Sequence, residues 1–285
     1  MATFLPSVYA FFAAAAAGCL LATVFGELRR VGTDRLTAVT LSALVATLAA
    51  AAAVVGQFGR PALLFSVFSN PGTAIFRELA SLLLALLAGA AYLAALRTGA
   101  TRRTGRKLSL LAAASGLILA LAVGSAAVQP WRPVWNTWTL VLPTAGFAWL
   151  AGVMFAKGLG ATGHKNVGPA LRLLKKAEEK TIETASEPLW ENAKLAASAP
   201  LVGLAVYFAI ASSDASARVA LASLLTCSNA SLFWAGVIVP SVLASFLAAV
   251  FASDALKRNP VSGIVLAILA AFSAGAWQHL VLGLA

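Results

Sequence analysis

Residues 74–96 read AIFRELASLLLALLAGAAYLAAL. After Glu78 the stretch runs to Leu96 with no charged residue. A helix needs about 20 mostly apolar residues to cross the roughly 30 Å hydrocarbon core of a bilayer. A β-strand crosses in about ten residues of alternating character, which this continuous run lacks. The stretch therefore predicts a transmembrane helix. An arginine and a glutamate, Arg77 and Glu78, stand at its beginning.

Seven more runs of the same kind appear on either side. The predicted spans are 6–27, 37–56, 74–96, 108–128, 138–157, 195–211, 230–252 and 260–282. The 285 residues are 60% hydrophobic and 11% charged, well outside the composition of water-soluble domains. The chain is predicted to be an all-α integral membrane protein, a single transmembrane domain over 1–285. The net charge of +11 would suit a nucleic-acid binder. In a membrane chain it fits better with basic loops on the cytoplasmic side.

The loops follow that rule. Of the 21 Lys and Arg, 17 fall in the first, third, fifth and seventh connections or their edges. The other four, Arg60, Arg77, Arg132 and Arg218, fall in or beside the even ones. Odd connections are thus expected in the cytoplasm and both termini on the outer, periplasmic side. The expected location is the cell inner membrane. The fifth connection is the long one, and Val167, Leu171, Leu174, Ile182, Ala185 and Leu189 recur there mostly at three- to four-residue steps. That pattern predicts a cytoplasmic amphipathic helix over 166–191.

Histidines and acids narrow the chemistry. His164 and His279 are predicted at opposite faces, whereas a bis-histidine haem needs its two ligands at similar depth. Cys19 and Cys227 form no CxxC pair, so no metal framework is expected. Of ten acids, only Glu78 lies a turn or so inside a span on the outer side. Ionisable groups there are costly and point to function. The structural alternative is an ion pair with Arg77 or Arg60. Other polar and aromatic residues gather at the same predicted end: Gln57, Gly59, Arg60 and Asn70; Trp131, Arg132, Trp135, Asn136 and Trp138; Trp277, Gln278 and His279. Such a set suits a flat, lipid-soluble ring with polar oxygens, such as a quinol. His279 is either a second proton acceptor or an interfacial histidine without a role.

Gly59-x-Pro61, Arg77–Glu78 at the head of the third span, and PVWNTW at 133–138, set in eight spans, resemble the membrane anchor subunit family of dimethyl sulfoxide reductase. The resemblance implies a haem-free, metal-free subunit that binds and oxidises menaquinol near the outer face. It implies two partners, an iron–sulfur subunit of four clusters and a molybdopterin catalytic subunit. Glu78 would take the proton, and Gln57, Gly59, Arg60, Arg77, Trp135, Asn136 and His279 would bind the quinol. The sequence departs from the family at Gln57, where a histidine is usual, and at Leu63, where an arginine is frequent. Glutamine can hold a quinol oxygen but cannot take its proton. A polysulfide-reductase-type quinol subunit and a small-solute transporter are the other readings of eight spans.

Overall fold

The computed structural model describes residues 4–28, 31–57, 67, 69–128, 135–162, 194–226, 230–250 and 260–283. Among these residues the regular structure is entirely helical. Eight helices are long and apolar enough to cross a membrane. They are α1 (Phe4–Leu28), α2 (Thr33–Gln57), α3 (Ala74–Arg97), α4 (Arg102–Ala126), α5 (Val141–Thr162, entered by a single 3-10 turn, Trp138–Leu140), α6 (Lys194–Ala211), α8 (Ala230–Val250) and α9 (Pro260–Gly283). A ninth helix, α7 (Ala215–Thr226), is also apolar. At 12 residues it is about 18 Å long, too short to span. The predicted amphipathic helix at 166–191 lies outside the described residues.

Consecutive spans run in opposite directions. Gly26 of α1 lies against Leu36 of α2, and Gly56 of α2 against Leu5 of α1. Gly124 of α4 meets Val141 of α5, and Gly203 of α6 meets Leu142. Ser7 of α1 hydrogen-bonds His279 of α9 at 3.0 Å. The helix ends therefore form two sets. Among the described residues Arg35, Arg97, Arg102, Arg103, Arg106, Lys107, Lys157 and Lys194 gather at one end, and Arg77 and Arg218 at the other. We call these the basic end and the Glu78 end.

Helices α1, α5 and α9 form the centre of the bundle, each with more than 60% of its apolar span buried. Small residues make this possible. Ala14, Gly18 and Ala22 recur every fourth residue on α1, and Ala148, Gly152 and Ala156 do so on α5. A side chain at Gly18 would run into the Ala148 carbonyl oxygen and the Gly152 backbone. Lipid tails are as apolar as leucine, so close backbone packing between small residues drives association in a bilayer. Leucines and valines such as Val45, Leu48, Leu83, Leu87, Leu110 and Val265 point outward from the bundle, where lipid would cover them. An apolar groove of about 530 Å³ runs between α1, α4, α5 and α6, lined by Leu21, Phe25, Leu117, Leu142, Trp149 and Val202 among others. Its lining suits hydrocarbon, and α3 takes no part in it.

Both ends of α3 are set by local chemistry. Thr73 has an extended backbone, and its side chain accepts a hydrogen bond from the Phe76 N–H at 3.2 Å. This satisfies one of the first-turn donors that a helix leaves open. Gly99 follows the last turn with φ of 64°, a left-handed conformation that glycine adopts without steric penalty. At the basic end the Tyr92 hydroxyl of α3 donates to Glu27 Oε1 of α1 at 3.0 Å.

Candidate functional site

The Thr73 cap fixes where Glu78 falls. Five residues along a helix is about 7 Å, so the carboxylate enters the bundle a little over one turn inside α3. Its side chain is 7% exposed, and Glu78 is the only buried carboxyl among the described residues. Arg77 precedes it but is exposed. Successive helix positions point about 100° apart, so the guanidinium acts on Glu78 only at a distance. The Ser81 hydroxyl donates to the Glu78 backbone carbonyl at 2.8 Å, not to the carboxylate. Among the described residues nothing hydrogen-bonds or ion-pairs with the Glu78 carboxyl.

The predicted set gathers at this end in part. Gln57 ends α2, Trp135 and Asn136 precede α5, and His279 lies in the last turns of α9. Gln57 and Asn136 are exposed at the rim. His279 is half-buried and shares its Nδ1 with the Ser7 hydroxyl. Gly59 and Arg60 lie outside the described residues, as do Trp131 and Arg132.

Trp135 is 3% exposed and packs in a continuous aromatic cluster. Its ring stacks on Tyr207 at 6.1 Å and meets Trp277 edge-on at 6.0 Å. Tyr207 in turn meets Trp277 at 5.3 Å, and Phe208 meets Phe233 at 5.7 Å. Edge-to-face and stacked pairs of this kind add to the energy of burial. The cluster ties the Glu78-end segments of α5, α6, α8 and α9 together. Helix α8 is widened beside it, with a π-helical segment at Phe233–Ile238. Val239 donates to the Trp234 carbonyl, one residue further back than in an α-helix. Pro240 follows and has no N–H to donate to the carbonyl four residues back, which favours such a bulge.

Three further groups stand out by what they lack. The Tyr9 hydroxyl, the Trp277 indole N–H and the Gln278 amide oxygen are buried with no hydrogen-bond partner among the described residues. All three are at the Glu78 end. Buried polar groups are nearly always paired, and an unpaired one costs about 1–3 kcal/mol. Each can be met by a ligand or a water, and two further groups of this kind, the Trp149 indole N–H and the Ser245 hydroxyl, lie elsewhere in the bundle. Trp277 and Gln278 belong to the polar set noted in the sequence. Tyr9 does not, because a lone tyrosine in an apolar run carries no distinguishing pattern.

The α7 segment, read in the sequence as part of a loop, has a cap of its own. Asp214 Oδ1 accepts from the Ser216 hydroxyl at 2.6 Å and from the Ser216 N–H at 2.8 Å. The Ser216 hydroxyl, helped by that N–H, holds the Asp214 carboxyl below the usual carboxylate range. The signal was an Asp two residues before a Ser at the head of an apolar run, a helix-start pattern.

No protein-family model matches this chain. No curated protein matches it either.

Proposed function

We propose that this chain is the membrane anchor subunit of a dimethyl-sulfoxide-reductase-type molybdopterin oxidoreductase and that it oxidises menaquinol at the Glu78 end. The observation that carries the reading is Glu78 itself, the only buried carboxyl among the described residues and one that lacks an ion-pair partner there. A buried, unpartnered carboxyl at a helix entrance has the attributes of a proton acceptor. A structural ion pair would bring a cation to it. The aromatic cluster and the unpaired polar groups beside it suit an amphipathic ring.

In this reading a quinol loses two protons and two electrons to become a quinone. Glu78 takes the two ring protons one after the other and passes each to water at the near face before the next is taken. The two electrons would be accepted by an iron–sulfur cluster of the four-cluster partner subunit, which would supply the route to the molybdopterin subunit. Gln57, Gly59, Arg60, Arg77, Asn136 and His279 form the rim that admits and orients the ring, and Trp135 holds the wall rigid. The segregation of basic residues supports an orientation with the Glu78 end on the outer face of the inner membrane, by the positive-inside rule. Both termini are then outside and the 166–191 segment is cytoplasmic. Protons released at the outer face do not cross the membrane, so the subunit translocates no charge.

The test is menaquinol oxidation by the purified complex. Glu78→Gln keeps the size and polarity of the side chain but cannot accept a proton at neutral pH. General-base catalysis is worth about 10²–10⁴ in rate, so turnover falls at least 100-fold while the complex still assembles. Unchanged turnover overturns the reading. Co-purification separates the alternatives. The anchor brings iron–sulfur and molybdenum subunits of this type, a polysulfide-reductase-type subunit brings a different catalytic partner, and a transporter purifies alone.

A further inference from the structure

The groove between α1, α4, α5 and α6 has a volume of about 530 Å³, within the usual range for sites that hold a small molecule. Its floor is braced by the Trp149 ring of α5, which stacks on Phe25 of α1 at 6.4 Å with the planes 11° apart. Its α6 wall runs from Leu195 to Val206, a rise of about 16 Å. That is close to the depth of one leaflet, half of the roughly 30 Å hydrocarbon core. The lining side chains offer almost nothing polar. The Ser198 hydroxyl donates to the Leu195 carbonyl at 2.8 Å, and the Trp149 N–H is covered by protein. A polar ring would find no partner there, and a hydrocarbon chain needs none.

Charge stands at one mouth of the groove. Two glycines fix the register of α4 along α1: Gly116 lies against Ala17 and Leu20, and Gly105 lies against Glu27. Leu117, the residue after Gly116, lines the groove. Three helical turns separate the two glycines to within about 20°. Arg106, the residue after Gly105, therefore stands on the same side of α4 as Leu117, at the level of Glu27 and just beyond Phe25. Across the groove Lys194 begins α6, one turn before Ser198 and on the face that carries Val202 and Val206. Arg106 and Lys194 are exposed, and neither has an ion-pair partner among the described residues. The acids at this end among the described residues are Glu27 and Asp34. Glu27 is held by Tyr92 of α3, and Asp34 belongs to α2; neither α2 nor α3 lines the groove. An apolar groove one leaflet deep with two open cations at its mouth matches a phospholipid whose headgroup is negative overall. We propose that the groove seats one acyl chain of an anionic phospholipid and that the phosphate group of that lipid rests between Arg106 and Lys194. Basic residues at a membrane surface attract anionic lipid in general, and the groove adds a place that holds one molecule. The seated chain fills the space that the four helices leave open and so bridges α4 and α6. The proposal does not depend on the quinol reading.

The experiment uses the purified full chain in detergent, stripped of lipid. The probes are dioleoylphosphatidylglycerol, which is anionic, and dioleoylphosphatidylcholine, which has the same chains and no net charge. Native mass spectrometry counts the lipids held per chain, and the thermal midpoint without lipid reports folding. Wild type should hold one phosphatidylglycerol at concentrations where phosphatidylcholine leaves it bare. Arg106→Gln and Lys194→Gln should each weaken that binding about fivefold and together about 30-fold, the scale of one basic residue apiece at a lipid surface. Both side chains are exposed, so the midpoint without lipid should hold. Val202 is 57% exposed and lines the groove. Val202→Trp fills the groove from that wall and should abolish the bound lipid while the midpoint holds or rises. Equal binding of the two lipids by wild type overturns the headgroup site, and so does phosphatidylglycerol binding that survives the paired charge change. Binding that survives Val202→Trp overturns the groove as its seat. Menaquinone held in preference to phosphatidylglycerol, and lost in Val202→Trp, overturns the lipid assignment by making the groove a channel for a quinone tail. A wild-type chain that holds neither phospholipid overturns the proposal outright.

Discussion

Replacing Glu78 by methionine separates a functional carboxyl from a structural one. The two side chains are similar in length, so the substitution changes polarity with little change in packing. Glu78 is 7% exposed and has no hydrogen-bond or ion-pair partner among the described residues. Leaving a buried polar group unpaired costs about 1–3 kcal/mol, more if it is charged. Some of that is returned by the positive N-terminal end of α3, about 0.3–1 kcal/mol near a first turn and less beyond it. Methionine removes the cost and forfeits the return. The net expectation for Glu78→Met is a gain of about 1–2 kcal/mol in the quinone-free protein. At about 2–4 °C per kcal/mol for a chain of this order of size, the thermal midpoint in detergent rises by several degrees. Quinol oxidation is lost in the same variant, because no acceptor remains. This is the trade expected where a site is kept at the expense of stability. A midpoint lowered by several degrees would refute the reasoning. It would mean that Glu78 holds a structural partner, and Arg60 in the segment between α2 and α3 is the cation to examine first.

Two further predictions concern the frame around the site. Gly18→Val should break the α1–α5 contact, because the new side chain meets the Ala148 carbonyl and the Gly152 backbone, which cannot turn aside. Overpacking of this kind costs about 3 kcal/mol or more, and labelling of the adjacent buried Cys19 by a maleimide, in a Cys227→Ser background, should become rapid. Asp214 gives α7 a pH-dependent cap. A carboxyl held below its ordinary range stabilises the folded state above that range, and the contribution is lost as pH falls through the depressed value. The protection factors of the first α7 amides, corrected for the intrinsic pH dependence of exchange, should therefore fall in acid in the wild type, should be low throughout in Asp214→Ala, and should not change with pH in Asp214→Asn.

The eight spans were legible because the bilayer demands a length, and no soluble fold asks for 20 consecutive apolar residues eight times over. The short helix α7 was not, because 12 apolar residues meet no such demand and the Asp214 cap is a local signal easily read as a turn. Glu78 was legible for the same physical reason that the spans were: a carboxyl inside an apolar run is costly wherever the helix turns it. Its setting was not legible. In the sequence Gln57 and Asn136 are polar groups at the same predicted end as Glu78, but their places at the end of α2 and ahead of α5 leave them exposed at the rim. Trp135 shows the limit most clearly. In the sequence it is one of several interfacial tryptophans, and nothing in PVWNTW sets it apart from Trp138. The packed bundle separates them: Trp135 is 3% exposed and stacks on Tyr207, whereas Trp138 is 68% exposed. Both rings suit a membrane interface. Whether a neighbouring helix covers the ring decides which one is a wall of the bundle and which one faces outward, and residue type alone does not carry that.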